Sequence, residues 1–392
     1  MFRLSNEIMR YAWGSRSAIP AFLGLAEDGS PWAEMWMGAH LRGPSQVEVG
    51  GMRQPLNELI EREPRRWLGL TGGRELPFLF KLLAAAEPLS IQCHPDAQQA
   101  HTGFLREESE GIPRKAKHRL YPDAMPKPEL VVAQSEFVGL KGFRPITNIR
   151  RLMQTFGLTE LTPDVGQSES AALQQTFARL MKADPRTRQR WIRSVLSTPS
   201  HTPERLWVQV LDDHYSGDAG VLAPLLLNLV VLAPKEGLFL RPRELHAYLK
   251  GTALEIMANS DNVLRGGLTP KHVDVDELIK VLDFKPDVPS RITAIEDFGG
   301  WSLYPTPAPQ FSLRHAIVDD HCAPSVPSTR GLNIVLCTRG RVACRTDDNA
   351  TAWLTQGESA VLPAAAGGYR LEGNGEVFRA SVGANTSAAA TI

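Results

Sequence analysis

The hexapeptide Ser90-Ile91-Gln92-Cys93-His94-Pro95 places an amide and an imidazole two residues apart. In an extended strand alternate side chains share a face, so Ser90, Gln92 and His94 point one way while Ile91 and Cys93 turn into packing. The Cα atoms of Gln92 and His94 then stand about 6–7 Å apart, and both side chains can reach one metal ion bound at about 2 Å. On a helix the same pair would diverge by about 200°. Read alone, the hexapeptide is more often an ordinary polar pair at a strand end.

A second segment, Met125-Pro126-Lys127-Pro128-Glu129-Leu130-Val131, brackets a lysine with two prolines, which forces an extended chain. Lys127 and Glu129 share a face there, and the segment leads into the apolar run Leu130 to Ala133, as the rim of a pocket would. In Arg241-Pro242-Arg243-Glu244-Leu245-His246-Ala247-Tyr248-Leu249, His246 and Tyr248 alternate with apolar neighbours. A fourth segment carries Glu255 on the polar face of a strand, then a polar turn and Arg265 before Gly266 and Gly267, which allow close approach of backbone to a ligand. Taken together, Gln92, His94, Glu129 and His246 offer two imidazoles, a carboxylate and an amide oxygen. That mixed N/O set suits Zn²⁺, with Mn²⁺, Co²⁺ or Fe²⁺ as competitors. Spacing alone does not select these four.

The elements that must position them are strands with one helical interruption. Residues 1 to 148 mix short apolar runs, such as Leu76 to Leu83, with turn punctuation and an interposed helix over Leu56 to Leu68. From 149 to 220 apolar residues recur every three or four positions (Ile149, Leu152, Met153, Phe156; Leu173, Phe177, Leu180, Met181), the pattern of amphipathic helices. Strand-like runs resume after Pro224. Five prolines between Pro286 and Pro309 mark a boundary, and residues 305–392 read as a further small β domain. The expected layout is mainly β with a helical insertion (α+β): 1–148 plus 221–304 as one domain, 149–220 as the insertion, 305–392 as the last.

Composition bounds the partners. The chain has 392 residues, with Lys plus Arg 43 against Asp plus Glu 43. That balance argues against nucleic acid and against a polybasic membrane surface. The most apolar stretch, Val221 to Ala233, is too short to span a bilayer and contains Pro224 and Asn228. The four cysteines form no CxxC pair, and no signal-peptide pattern opens the chain. A cytoplasmic protein that acts as a monomer is expected. No histidine follows His321, so a second metal site in the last domain is not expected.

At Tyr11-Ala12-Trp13-Gly14-Ser15, Ala33 to Gly38, Leu76 to Lys81, Leu89 to Pro95, Lys127-Pro128-Glu129, Gly142-Phe143-Arg144-Pro145, His246 to Leu249 and Leu254 to Lys271, the chain resembles the type I, zinc-dependent phosphomannose isomerases. The resemblance covers about residues 1 to 285. It implies a cupin (jelly-roll) catalytic domain, a helical domain and a second, cupin-like C-terminal domain without metal. It implies one Zn²⁺ per chain on Gln92, His94, Glu129 and His246, a catalytic arginine at Arg265, and phosphate contacts from Lys81, Ser90, Arg144 and Lys271. The implied reaction interconverts mannose 6-phosphate and fructose 6-phosphate, moving a proton between C2 and C1 through a cis-enediol. Lys127, Glu255 and a zinc-bound water are rival bases. Two departures stand out: Leu245 replaces the family's usual proline before the histidine, and Pro126 replaces a histidine found in some members. The second removes any proton-transfer role for a side chain at 126. Two other classes remain open at this level: a metal-holding module without turnover, and a metal-dependent oxygenase on the same fold.

Overall fold

The computed structural model describes residues 1–69, 73–328 and 331–383. Two sheets with helices packed at one side make up the molecule, a mixed, strand-rich architecture. No helix among the described residues is long and apolar enough to cross a membrane.

The first sheet runs Leu227–Leu232, Phe137–Phe143, His246–Ala258, Phe78–Ala85, Glu34–Met37, Glu7–Met9, with Glu129–Ala133 and Gln92–Cys93 also laid against His246–Ala258. Its central members are buried on both faces, which is why Phe78–Ala85 and Glu129–Ala133 read as continuous apolar runs broken only by Lys81 and Glu129.

His246–Ala258 organises everything else. Its first half pairs with Phe137–Phe143 and Gln92, its second half with Phe78–Ala85 and Glu129–Ala133. The change of partner falls at a register shift between Tyr248 and Lys250, followed by Gly251 at φ +120°. A Cβ at Gly251 would lie 2.4 Å from the carbonyl oxygen of Glu136, so only glycine fits the corner. The extra residue of the bulge also inverts side-chain parity. His246, Tyr248 and the odd-numbered Glu255 therefore end on one side.

The helices Ile146–Thr155, Glu169–Lys182, Pro185–Ser197 and Pro203–Tyr215 occupy the region where the 3.6-residue period was read. The last three start on side-chain caps from Ser168, Asp184 and Thr202. Their apolar faces (Leu173, Phe177, Ile192, Val195, Val208, Leu211) share one core with Ile91, Cys93, Leu140 and Leu264. The helical layer thus buttresses the strands that carry Gln92 and Arg265 from behind.

Two details differ from the expectation. The helix read over Leu56 to Leu68 is two helices, Leu56–Arg62 and Pro64–Leu68, because Glu63 (φ −132°, ψ 59°) precedes Pro64, which disfavours the helical conformation at that position. The second sheet, built mainly from residues after 295, also takes in Phe2–Ser5, Gln46–Val49 and Met52–Pro55. Phe2 pairs with Val361, so strand pairing crosses the boundary drawn at 304/305.

Candidate metal centre

His94, Glu129 and His246 meet at the head of the long strand. Their potential ligand atoms all lie within 4.8 Å of one another, and all three residues are buried. His94 Nε2 is 3.2 Å from Glu129 Oε1, His246 Nε2 is 3.5 Å from Glu129 Oε2, and the two imidazole centroids are 5.0 Å apart. Each ring has its other nitrogen on a backbone carbonyl: His94 Nδ1 on Asn262 O at 2.7 Å, His246 Nδ1 on Glu244 O at 3.3 Å. That arrangement fixes the tautomer and leaves Nε2 bare toward the carboxylate, as metal-ligating histidines require.

The donor set fits a metal. His94 Nε2 is fully buried yet has no hydrogen-bond partner of acceptable geometry, an orphan that a cation would satisfy. Burial, with Lys127 nearby, pushes the His94 imidazole down to about 4, so it is neutral and able to ligate. Burial works against the charge of Glu129, but the ammonium of Lys127 foremost outweighs it and holds the carboxyl well below its usual range. Gln92 is the register partner of both His246 and Arg265, which sets it beside the trio.

A second, contiguous cluster is carboxylate-rich. Lys81 Nζ lies 3.2 Å from Glu255 Oε2 and 3.6 Å from Glu34 Oε1, and 5.2 Å from the centroid of Trp36. Trp36 Nε1 donates to Glu34 Oε2 at 2.7 Å, and Tyr248 Oη donates to Glu255 Oε1 at 2.6 Å. Burial opposes the ammonium of Lys81, but Glu34 and Glu255 raise it above the ordinary lysine value. Burial raises the Glu255 carboxyl and, with Glu255 beside it, the Tyr248 phenol. Lys127 Nζ touches Glu129 Oε1 at 3.0 Å.

The cations on the open side are spare. Arg265 Nη1 donates to Ser90 Oγ at 3.1 Å, and no carboxylate among the described residues pairs with it. Burial lowers Lys271, and repulsion from Arg265 and Arg42 lowers it further, so the three positive groups sense one another. Arg42 is partly answered by Asp261 at 3.3 Å.

The chain is similar to known proteins along almost its whole length. Residues 1–146 match the family model described as the phosphomannose isomerase type I catalytic domain. A mannose-6-phosphate isomerase of Salmonella typhimurium is 35% identical over 97% of this chain and 99% of its own length. The chain belongs to the type I phosphomannose isomerase family. The human mannose-6-phosphate isomerase is 31% identical over 90% of both chains. A crystal structure of a zinc-bound mannose 6-phosphate isomerase superposes with a TM-score of 0.91 at 34% identity, covering 98% of this chain and 99% of that one.

Against that family background, the sites read from sequence fall into groups. His94, Glu129, His246 and Lys127 stand around one point, with Gln92 on the strand beside them; Lys81 and Glu255 stand together in the adjoining cluster; Ser90, Arg265 and Lys271 form the cationic side. Arg144 lies apart. Its Nε donates to Leu227 O at 2.7 Å and Pro224 O at 3.2 Å, and its Nη2 pairs with Glu204 of the helical layer at 2.9 Å. These contacts tie the helices to the sheet. Glu34, Trp36 and Arg42 had been seen only as part of a motif or not at all. A charged residue in the buried run Glu34–Met37 was the available signal; Arg42 left none.

Proposed function

We propose that this isomerase of mannose 6-phosphate and fructose 6-phosphate works in a cleft whose floor is the His94/Glu129/His246 centre and whose open wall is Arg265, Lys271 and Arg42. The convergence of two buried imidazoles and one carboxylate, with Nε2 of His94 left unpartnered, is the observation that carries this reading. Gln92, His94, Glu129 and His246 would hold one Zn²⁺. When bound, the ion supplies a Lewis acid that polarises the sugar oxygens and acidifies the proton on the adjacent carbon.

The chain's own residues do the rest. Lys271, Arg42 and Ser90 offer positive charge and a hydroxyl to the substrate's phosphate, and so hold C1 and C2 over the floor. Arg265, fixed by Ser90 and free of carboxylates, faces the negative charge that develops as the proton leaves. Lys127 Nζ, engaged among the described residues only by Glu129 Oε1, is the group we favour for carrying the proton between C2 and C1. Both oxygens of Glu255 are taken, by Tyr248 and Lys81, so Glu255 orients and buffers the array and is the rival proton carrier. Lys81, expected at the phosphate, is read here as the counter-charge that keeps Glu34 and Glu255 in place.

The two sheets support a reading as two cupin-like jelly rolls flanking a helical insertion, the second without metal. The four cysteines are all free, which supports a reducing, cytoplasmic setting, and we read the enzyme as a monomer. Formation of fructose 6-phosphate by the zinc-loaded protein from mannose 6-phosphate, followed in a coupled assay, tests the reading; metal bound at one per chain with no turnover would overturn it.

A further inference from the structure

The second sheet holds a polar cluster that the isomerase reaction does not use. Arg379 is 4% exposed, and its Nε and Nη1 are buried with no hydrogen-bond partner among the described residues. The hydroxyl of Tyr369, a residue 2% exposed, lies against the Arg379 guanidinium and finds no acceptor for its own proton among the described residues. Arg314 stands directly opposite Arg379 on the neighbouring strand. By alternation Arg379 shares the face of Val377, and Arg314 that of Ala316. Val377 and Ala316 pack in one core with Tyr369 and Trp301.

The charges there do not balance. Arg314 Nε donates to Asp297 Oδ2 at 2.6 Å and its Nη1 to Ser312 Oγ at 2.7 Å. No carboxylate among the described residues pairs with Arg379, whose guanidinium lies 4.9 Å from the centroid of Trp301 and 5.9 Å from that of Phe298. Like charges directly opposite each other on adjacent strands repel, and a buried guanidinium without acceptors is costly. Such a group persists where something satisfies it. Water could accept the hydrogen bonds but would leave the excess positive charge. An oxyanion answers both, and two N–H donors with a phenolic hydroxyl are the donors it needs.

The cover over the cluster is slight. Phe298, half exposed, lies 5.4 Å from the Arg314 guanidinium as well as over Arg379. It sits on a turn whose next two residues, Gly299 (φ +63°) and Gly300 (φ +77°), occupy conformations that favour glycine.

We propose that Arg379, Tyr369 and Arg314 form a second binding site, in the C-terminal sheet, for a small oxyanion: the phosphate or carboxylate group of a small metabolite. Thermal unfolding of the zinc-loaded enzyme, titrated with inorganic phosphate in one arm and acetate in the other, tests it on wild type and Arg379→Met. The catalytic cleft is common to both proteins, so the difference between them reports this site alone. The expected result is a saturable rise in Tm, larger in wild type than in Arg379→Met, in at least one arm; the arm that responds separates phosphate from carboxylate. Tyr369→Phe should raise the half-saturating concentration several-fold, and stands in if Arg379→Met does not fold. Shifts that are equal in the wild type and the variants in both arms would overturn the proposal. So would crystals soaked in tungstate that show only ordered water against Arg379 and Tyr369.

Discussion

His94 and His246 approach with ring centroids 5.0 Å apart while each gives its Nδ1 to a backbone carbonyl, so both present a bare Nε2 to Glu129. Two imidazoles held in that way form a pre-set pair of ligands. His246→Ala should therefore lose bound zinc as well as turnover. Metal analysis of the purified variant decides: full zinc retention would remove His246 from the centre.

The support behind His94 makes a separate prediction. Asn262 supplies the carbonyl that holds His94 Nδ1, and its own side chain is pinned by Nδ2 donating to Asp123 O and Met125 O, both at 2.8 Å. Asn262→Ala frees that turn without touching a ligand. Zinc affinity should fall about 10–100-fold, the usual effect of losing an outer partner, as read by competition with a chelator.

Arg265 and Lys271 should separate kinetically. Arg265→Ala removes a donor aimed at developing charge and should lower kcat by about 10²–10³-fold with little change in KM. Lys271→Ala, at an exposed position, should raise KM and leave kcat nearly intact. Steady-state kinetics that showed the reverse pattern would exchange their roles.

A pH dependence arises far from the substrate. Glu376 takes His315 Nε2 at 2.6 Å and Lys235 Nζ at 2.9 Å, the second contact joining the two sheets. The His315 hydrogen bond, against burial and with help from Lys235, lowers its carboxyl from 4.5 to about 2. A carboxyl depressed in the folded state contributes stability that is fully present above 4.5 and lost as pH falls toward 2. Glu376→Gln should cost about 1–2 kcal/mol near pH 7, a charge-assisted hydrogen bond reduced by solvent screening. Denaturant unfolding should show the gap to wild type closing across that acid window; a gap that is constant with pH would exclude the ion pair as its source.

What could be read from the chain was what depends on near neighbours. Alternation at Gln92/His94, at Lys127/Glu129 and at His246/Tyr248 follows from strand geometry, and the structure keeps Lys127 with Glu129 and His246 with Tyr248. The helical insertion was equally plain, because Leu173, Phe177 and Leu180 need no distant partner to reveal their period. Resemblance, not spacing, joined the four ligands. The rest was hidden because it rests on long-range placement. Glu255 reaches the side of Tyr248 only through the bulge and the Gly251 corner, which changes parity in a way no alternation rule foresees. Arg144 belongs to a motif, but nothing in the motif shows that Glu204 and the Leu227 carbonyl bind it. Arg42 comes to Lys271 and Arg265 from a loop without periodic signal.

The clasp between the ends of the chain bears on how the protein is made. Phe2 pairs with Val361, and Arg3 binds Glu358 across a separation of 355 positions. During synthesis the edge of Phe2–Ser5 that pairs with Ser359–Leu362 stays open until that distant strand has left the ribosome. Closing so distant a contact is slow, and a waiting edge is an invitation to aggregation. Nascent chains stalled before residue 359 should therefore depend on chaperones more than the finished enzyme does.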